Sequence, residues 1–226
     1  MSSRTATLIG ATGLIGGHLL TLLQSDDYFD TIRVLVRRPF QTDRTKTAVR
    51  LIDFEDHESY KLGIDGSDAV FVAVGTTQKK VKGDKEAYRK VDYDLPVKAA
   101  RFCKETGCPQ LLIVSSVGAN SKSNNFYLAL KGEVEKTIKE SGIPSTSVFR
   151  PSMLLGNREE SRPAERVGQV IMKTFSFAIA GSFRKYKPVN AVDVAKAMLQ
   201  ASKIRKPGFS IYEYDSIRRL ASGTKL

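Results

Sequence analysis

Tyr127 and Lys131 stand four residues apart in the stretch Phe126-Tyr-Leu-Ala-Leu-Lys131, a spacing that puts both side chains on one face of a helix. A tyrosine hydroxyl is a weak acid near neutrality, with a reference pKa of about 10. An adjacent ammonium stabilises the phenolate, and a lowering of ~3 units corresponds to roughly 4 kcal/mol, which paired charges can supply. Such a pair can hand a proton to a carbonyl oxygen, and the same lysine can reach the sugar of a bound nucleotide. Ser115 and Ser116 end the apolar run that precedes this helix. A hydroxyl at that strand end, from Ser115 or Ser116, can orient the same carbonyl. Tyr-x-x-x-Lys also occurs on ordinary surface helices, so its weight comes from its company.

That company begins at Gly10-Ala-Thr12-Gly13-Leu14-Ile15-Gly16, between a short apolar run and a helical one. The spacing is Gly-x-x-Gly-x-x-Gly. One glycine permits a tight turn, one lets backbone N–H groups approach a pyrophosphate, and one lets helix and strand pack closely. The helix N-terminus that follows, from Thr12 through Ile15, offers unpaired N–H groups and a partial positive charge to phosphates. Where a NAD site carries an acid at the end of the second strand, this chain reads Val36-Arg37-Arg38-Pro39. Arginine grips a 2′-phosphate bidentately, at roughly 1.5–3 kcal/mol per charge-assisted bond. The expected cofactor is therefore NADP(H). Asp53-Phe54, at the end of a third strand, is placed to accept from the adenine amino group and cover its ring. Val74-Gly75-Thr76, closing the fourth, would let backbone approach the ribose and pyrophosphate.

The elements that must position these residues alternate. Strand-like runs are expected at Ala6–Ile9, Thr31–Val36, Val49–Phe54, Asp68–Val74, Gln110–Val114 and Ser145–Phe149. Helical stretches lie between several of them, one starting near Leu95 with Pro96 in its first turn and one over Phe126–Lys139. Continuous apolar strands alternating with helices imply a parallel sheet covered on both faces. The fold class expected is α/β, a doubly wound Rossmann-type sheet in a single NAD(P)-binding domain, with a small C-terminal cap over residues 151–226. In that cap a charged loop (157–166), a helix (167–175) and a strand–helix piece (188–201) are expected.

The chain has 226 residues, 41% of them hydrophobic, with 36 Lys+Arg against 24 Asp+Glu and a formal charge of +12. A chain of that length and composition can bury one substantial core. Cys103 and Cys108 are too few for a disulfide framework or a zinc site. His18 and His57, the two histidines, sit in separate elements without ligand spacing. The apolar run near the N-terminus is broken by Gly10, Gly13, Gly16 and Gly17 and does not read as a membrane span. With strand character already at Thr5, neither signal nor transit peptide is expected, and a cytoplasmic location follows as the expectation. No nucleic-acid motif accompanies the positive charge. The basic run Lys79, Lys80, Lys82, Lys85, Arg89 and Lys90 is expected to be a solvated loop; the sharper alternative is that it overhangs the crevice and favours an anionic ligand.

Taken together, GATGLIGG, VLVRRP, FVAVGTT, VDYDL, IVSSVGA, FYLALKGEVE, VFRPSMLLGNREESRP and PVNAVDVAKAML resemble an atypical or extended short-chain dehydrogenase/reductase. More narrowly the chain resembles the Tat-interacting-protein oxidoreductase family, which has a fungal mitochondrial branch. The resemblance implies an NADPH-binding Rossmann domain with Ser116, Tyr127 and Lys131 as catalytic trio and Pro151 and Met153 bordering the nicotinamide. Asp92 stands where related enzymes commonly carry asparagine. The function expected is reduction of a small carbonyl compound. An epimerase or dehydratase would use the same trio, and a cofactor-binding regulator with a protein partner would use the fold without turnover. Oligomeric state, monomer or homodimer, is open.

Overall fold

The computed structural model describes residues 3–42, 45–76, 81–156 and 181–223. Seven strands form one sheet: β1 (Thr5–Ile9), β2 (Thr31–Val36), β3 (Thr47–Leu51), β4 (Ala69–Val72), β5 (Gln110–Val114), β6 (Ser145–Phe149) and β9 (Gly208–Tyr212). Their order is β3-β2-β1-β4-β5-β6-β9, and every pairing is parallel. Strands β1 and β4 to β6 are almost wholly buried between two helical layers, β4 and β5 as mainly apolar runs and β1 and β6 with buried hydroxyl residues among them. On one face Leu19, Leu23, Val194, Met198, Ile217 and Leu220 pack over the sheet. They come from α1 (Leu14–Ser25), α6 (Ala191–Ile204) and α7 (Tyr214–Ala221). On the other, Tyr60, Ile64, Phe102, Val134 and Ile138 do the same, from α2 (His57–Ile64), α4 (Leu95–Glu105) and α5 (Phe126–Glu140). The doubly wound sheet is thus present.

Where the elements differ from the sequence reading, pairing and capping explain it. The third strand is shifted to Thr47–Leu51 because its register runs from Ile32↔Thr47 to Val36↔Leu51, starting and stopping with its partner. Asp53-Phe54 accordingly lies beyond it. Part of the lysine-rich run is helical. Asp84 caps α3 (Lys85–Arg89), its carboxylate accepting from the amides of Glu86 and Ala87, and Tyr88 is buried beneath it. A π-helical turn, Lys90–Asp94, then leads directly into α4, which begins at Leu95 with Pro96 in its first turn as expected. Helix α2 and the closing β9–α7 unit went unassigned in the sequence.

The residues after Pro151 divide. A two-stranded parallel piece, β7 (Leu154–Leu155) with β8 (Val189–Asn190), and a 3-10 segment (Gly181–Tyr186) stand beside the main sheet. Helix α6, β9 and α7 belong to the sheet and its layers. The expected loop over 157–166 and helix over 167–175 lie outside the described residues, as do Lys79 and Lys80.

Candidate functional site

The sheet order reverses direction between β1 and β4, and in open parallel sheets the crevice at the carboxyl ends of such neighbours is where ligands bind. The turn after β1 lies there. Gly10 has φ +95, and a Cβ on it would sit 2.7 Å from the Ala73 carbonyl oxygen; one on Gly16 would sit 2.0 Å from the Gly10 oxygen. A side chain at Gly10 would force the turn away from the end of β4, and one at Gly16 would force α1 away from the turn. Gly13 precedes α1 with no side-chain cap, and the first turn carries no acidic residue. Thr12 and Gly13 are exposed. An uncapped, solvent-facing helix start of this kind can accept phosphate oxygens.

Opposite the turn, residues 73–76 follow β4. A cavity of about 130 Å³ is lined by Gly13, Leu14 and Ile15 from the turn, Ala73 to Thr76, Asp92, Val114 to Ser116, Tyr127, Lys131, Pro151, Ser152 and Leu154. The structure therefore brings together the glycine turn, the Val74–Thr76 loop, both serines, the tyrosine, the lysine and Pro151. Met153 is not among the lining residues; its carbonyl accepts from the Val189 amide at 3.0 Å, tying β7 to β8. Arg37 and Arg38 lie past the end of β2, exposed; neither has an ion-pair partner among the described residues. Asp53 is exposed and accepts from the Glu55 amide at 2.9 Å. The Phe54 ring is buried edge-on against Tyr60, centroids 4.8 Å apart, so it faces the core.

The two serines differ sharply. Ser115 is buried, and its hydroxyl donates to Glu135 Oε1 at 2.5 Å while its amide donates to the Phe149 carbonyl. Ser116 is half-buried, and among the described residues its hydroxyl makes a 3.3 Å contact to the Val117 carbonyl. Glu135 is also gripped bidentately by Arg150, Nε to Oε1 at 2.9 Å and Nη2 to Oε2 at 2.5 Å. This fork locks the ends of β5 and β6 to α5. Hydrogen bonding to Glu135 raises the Arg150 pKa, with burial opposing it.

Helix α5 starts at Asn125, whose side chain accepts from the Leu128 amide, so Tyr127 and Lys131 fall on its first two turns. Tyr127 is half-buried and Lys131 buried. The Lys131 ammonium lies 6.0 Å from the Tyr127 ring centre and 2.9 Å from Asp92 Oδ1. Burial disfavours the ammonium, but Asp92, Tyr127 and Glu135 outweigh it, and the Lys131 pKa stands above the ordinary lysine value. Gly132 follows on the same helix because a Cβ there would lie 2.1 Å from the Ser121 amide nitrogen. It is the contact that seats the loop after Ser116 against α5.

Glu135, Arg150 and Gly132 escaped the sequence reading. A signal existed for the first: Tyr127, Lys131 and Glu135 repeat every four residues, one stripe on one face. Cys103 and Cys108 are free and buried, His18 and His57 are exposed, and no metal-holding cluster occurs among the described residues. Nor, among those residues, is any helix long and apolar enough to cross a membrane.

Sheet order, glycine turn and crevice define a Rossmann-type dinucleotide-binding protein. The chain belongs to a family of NAD(P)H-binding proteins, whose model matches residues 10–203. It is 32% identical over 202 residues to Protein HTATIP2 of Rattus norvegicus, covering 88% of this chain and 81% of that one. To Protein FMP52, mitochondrial, of Candida albicans it is 31% identical over 198 residues, 85% of each. In fold it is similar to the Bordetella bronchiseptica enzyme WbmH solved with NAD+, TM-score 0.71 at 16% identity, over 94% of this chain and 76% of that one. The mitochondrial naming of that relative and of further fungal ones overturns the expected cytoplasmic location. A strand beginning at Thr5 is no measure of compartment.

Proposed function

We propose that the protein is an NADP(H)-dependent oxidoreductase that reduces a small carbonyl compound. The observation that carries this reading is the convergence of Ser116, Tyr127 and Lys131 on one cavity with the glycine turn and residues 74–76. When bound, NADPH supplies the hydride that reaches the carbonyl carbon. Tyr127 gives its hydroxyl proton to the carbonyl oxygen, and the Lys131 ammonium stabilises the phenolate left behind. Ser116, the serine whose hydroxyl is not committed to Glu135, hydrogen-bonds the same oxygen and fixes its direction. Pro151, Ser152 and Leu154 line the cavity on the side away from the glycine turn, where the substrate enters. Backbone amides of Thr12, Leu14 and Ile15 hold the pyrophosphate, that of Gly13 being spent on the Gly10 carbonyl at 2.9 Å, and the exposed Arg37 and Arg38 take the 2′-phosphate, selecting NADP(H) over NAD(H). Asp53 and its neighbour's backbone flank the adenine.

The test is NADPH oxidation by the purified protein against a panel of aldehydes and ketones, with Tyr127→Phe alongside. Turnover in the wild type, with a loss of roughly a hundredfold or more in the variant and NADPH binding retained, is the expected result. Binding without turnover on any carbonyl would replace this reading with that of a cofactor-dependent regulator.

A further inference from the structure

Asp92 is 1% exposed, and both of its oxygens are engaged by groups of the candidate site. Oδ1 lies 2.9 Å from the Lys131 ammonium, and Oδ2 accepts from the Thr76 amide at 2.7 Å. Gly75 passes so close that a Cβ on it would lie 3.7 Å from Oδ1. The residue is carried on the π-helical turn Lys90–Asp94, an irregularity that frequently marks functional positions in helices. From the other side the Tyr88 hydroxyl donates to the Thr76 carbonyl at 3.3 Å, and the Tyr88 ring meets those of Phe126 and Tyr127 edge-on. Thr76 is thus held at both its amide and its carbonyl by the helical run that Asp92 belongs to.

We propose that Asp92 is the positioning residue of this site, one carboxylate oxygen holding the Lys131 ammonium and the other the Thr76 amide. A single group thereby sets the proton-donating pair and the loop that borders the dinucleotide. The inference rests on the reductase reading above and deepens it. A carboxylate is required for this double grip. An asparagine has one acceptor oxygen, so its NH₂ would face either the ammonium or the amide N–H, donor against donor.

The groups facing Lys131 are Asp92 from the π-helical turn and Tyr127 and Glu135 from its own helix, with Arg150, just past β6, on the far side of Glu135. Removing the Asp92 charge makes loss of a proton from the Lys131 ammonium easier. The alkaline limb set by that ammonium therefore moves to lower pH.

Asp92→Asn tests this. The expected result is an NADPH-binding protein whose kcat falls roughly tenfold or more and whose alkaline limb lies about one pH unit or more below that of the wild type. An unmoved limb with equal kcat overturns the proposal, and so does an equal fractional loss at every pH. Absence of NADPH binding and turnover in the wild type overturns the reductase reading itself, a distinguishable failure. Should Asp92→Asn fail to fold, Asp92→Asn with Lys131→Met decides the matter. Recovery of folding shows that the unpaired buried ammonium was the fault and supports the pairing, whereas continued failure overturns it.

Discussion

The two ends of the crevice are built from different materials. On the β1–α1 side the surface is backbone. Gly10 and Gly16 bring carbonyls and amides to distances that no side chain permits, and α1 starts without a capping side chain. On the α5 side the wall carries Tyr127 and the buried ion pair of Lys131 with Asp92, backed outside the crevice by Glu135 and the half-buried Arg150. A backbone site holds any diphosphate that presents oxygens to it. A site of paired buried charges holds one proton inventory, because each ion depends on its partner to stay charged. Rigid recognition and tunable acidity are in this way kept at separate ends of one cleft.

That contrast can be broken at either end. The largest effect is expected of Gly16→Ala, where the methyl meets a backbone oxygen at 2.0 Å. Strand, turn or helix must then shift, at a cost of about 3 kcal/mol or more, read as a lower denaturation midpoint together with lost cofactor binding. At the charged end, Glu135→Gln leaves Arg150 with Glu213 at 3.8 Å as its ionic partner among the described residues. Breaking a buried pair in this way costs about 3 kcal/mol. Urea unfolding measures that cost, since the single amide oxygen of glutamine cannot serve the Ser115 hydroxyl and both Arg150 nitrogens at once. Gly132→Ala probes the seam between the ends. Helix propensity alone predicts a gain of about 1 kcal/mol. The Ser121 amide 2.1 Å from the new Cβ reverses the sign, to a net loss of about 1–3 kcal/mol and a displaced Ser116 loop. Smallest is the paired change Arg37→Ala with Arg38→Ala. NADPH affinity should drop about tenfold, or 1.4 kcal/mol, with NADH affinity unchanged. Calorimetry showing equal affinity for both cofactors in the wild type would remove the basis of the NADP(H) assignment.

Much of this was legible before any coordinates. The glycine spacing announced the phosphate turn, since the requirement for it is local and steric. Strands such as Gln110–Val114 and Ser145–Phe149 are legible to the residue, because turn signals bound them, Gly107-Cys-Pro109 and Gly142-Ile-Pro144 before and Ser115-Ser116 and Arg150-Pro151 after. At the sheet's edge the reading slipped. The strand at Thr47–Leu51 is largely exposed, so its bounds come from pairing with β2 and not from its own composition. Phe54 illustrates the same limit. An aromatic at a strand end reads equally as a cover for an adenine ring or as core, and here its side chain is buried against Tyr60.

What the sequence determined by itself was chemistry written in neighbouring residues: the turn, the Tyr127–Lys131 stripe, the arginines after β2 and the alternation that makes a parallel sheet. Only the tertiary structure decided which charges meet. It sent the Ser115 hydroxyl to Glu135, left that of Ser116 with a weak backbone contact, and set Asp92 between Lys131 and the Thr76 amide. The reason is distance. Helical period and turn sterics act within a few residues, but a buried ion pair forms between elements far apart in the chain. Its partners are known only when packing has removed the water between them.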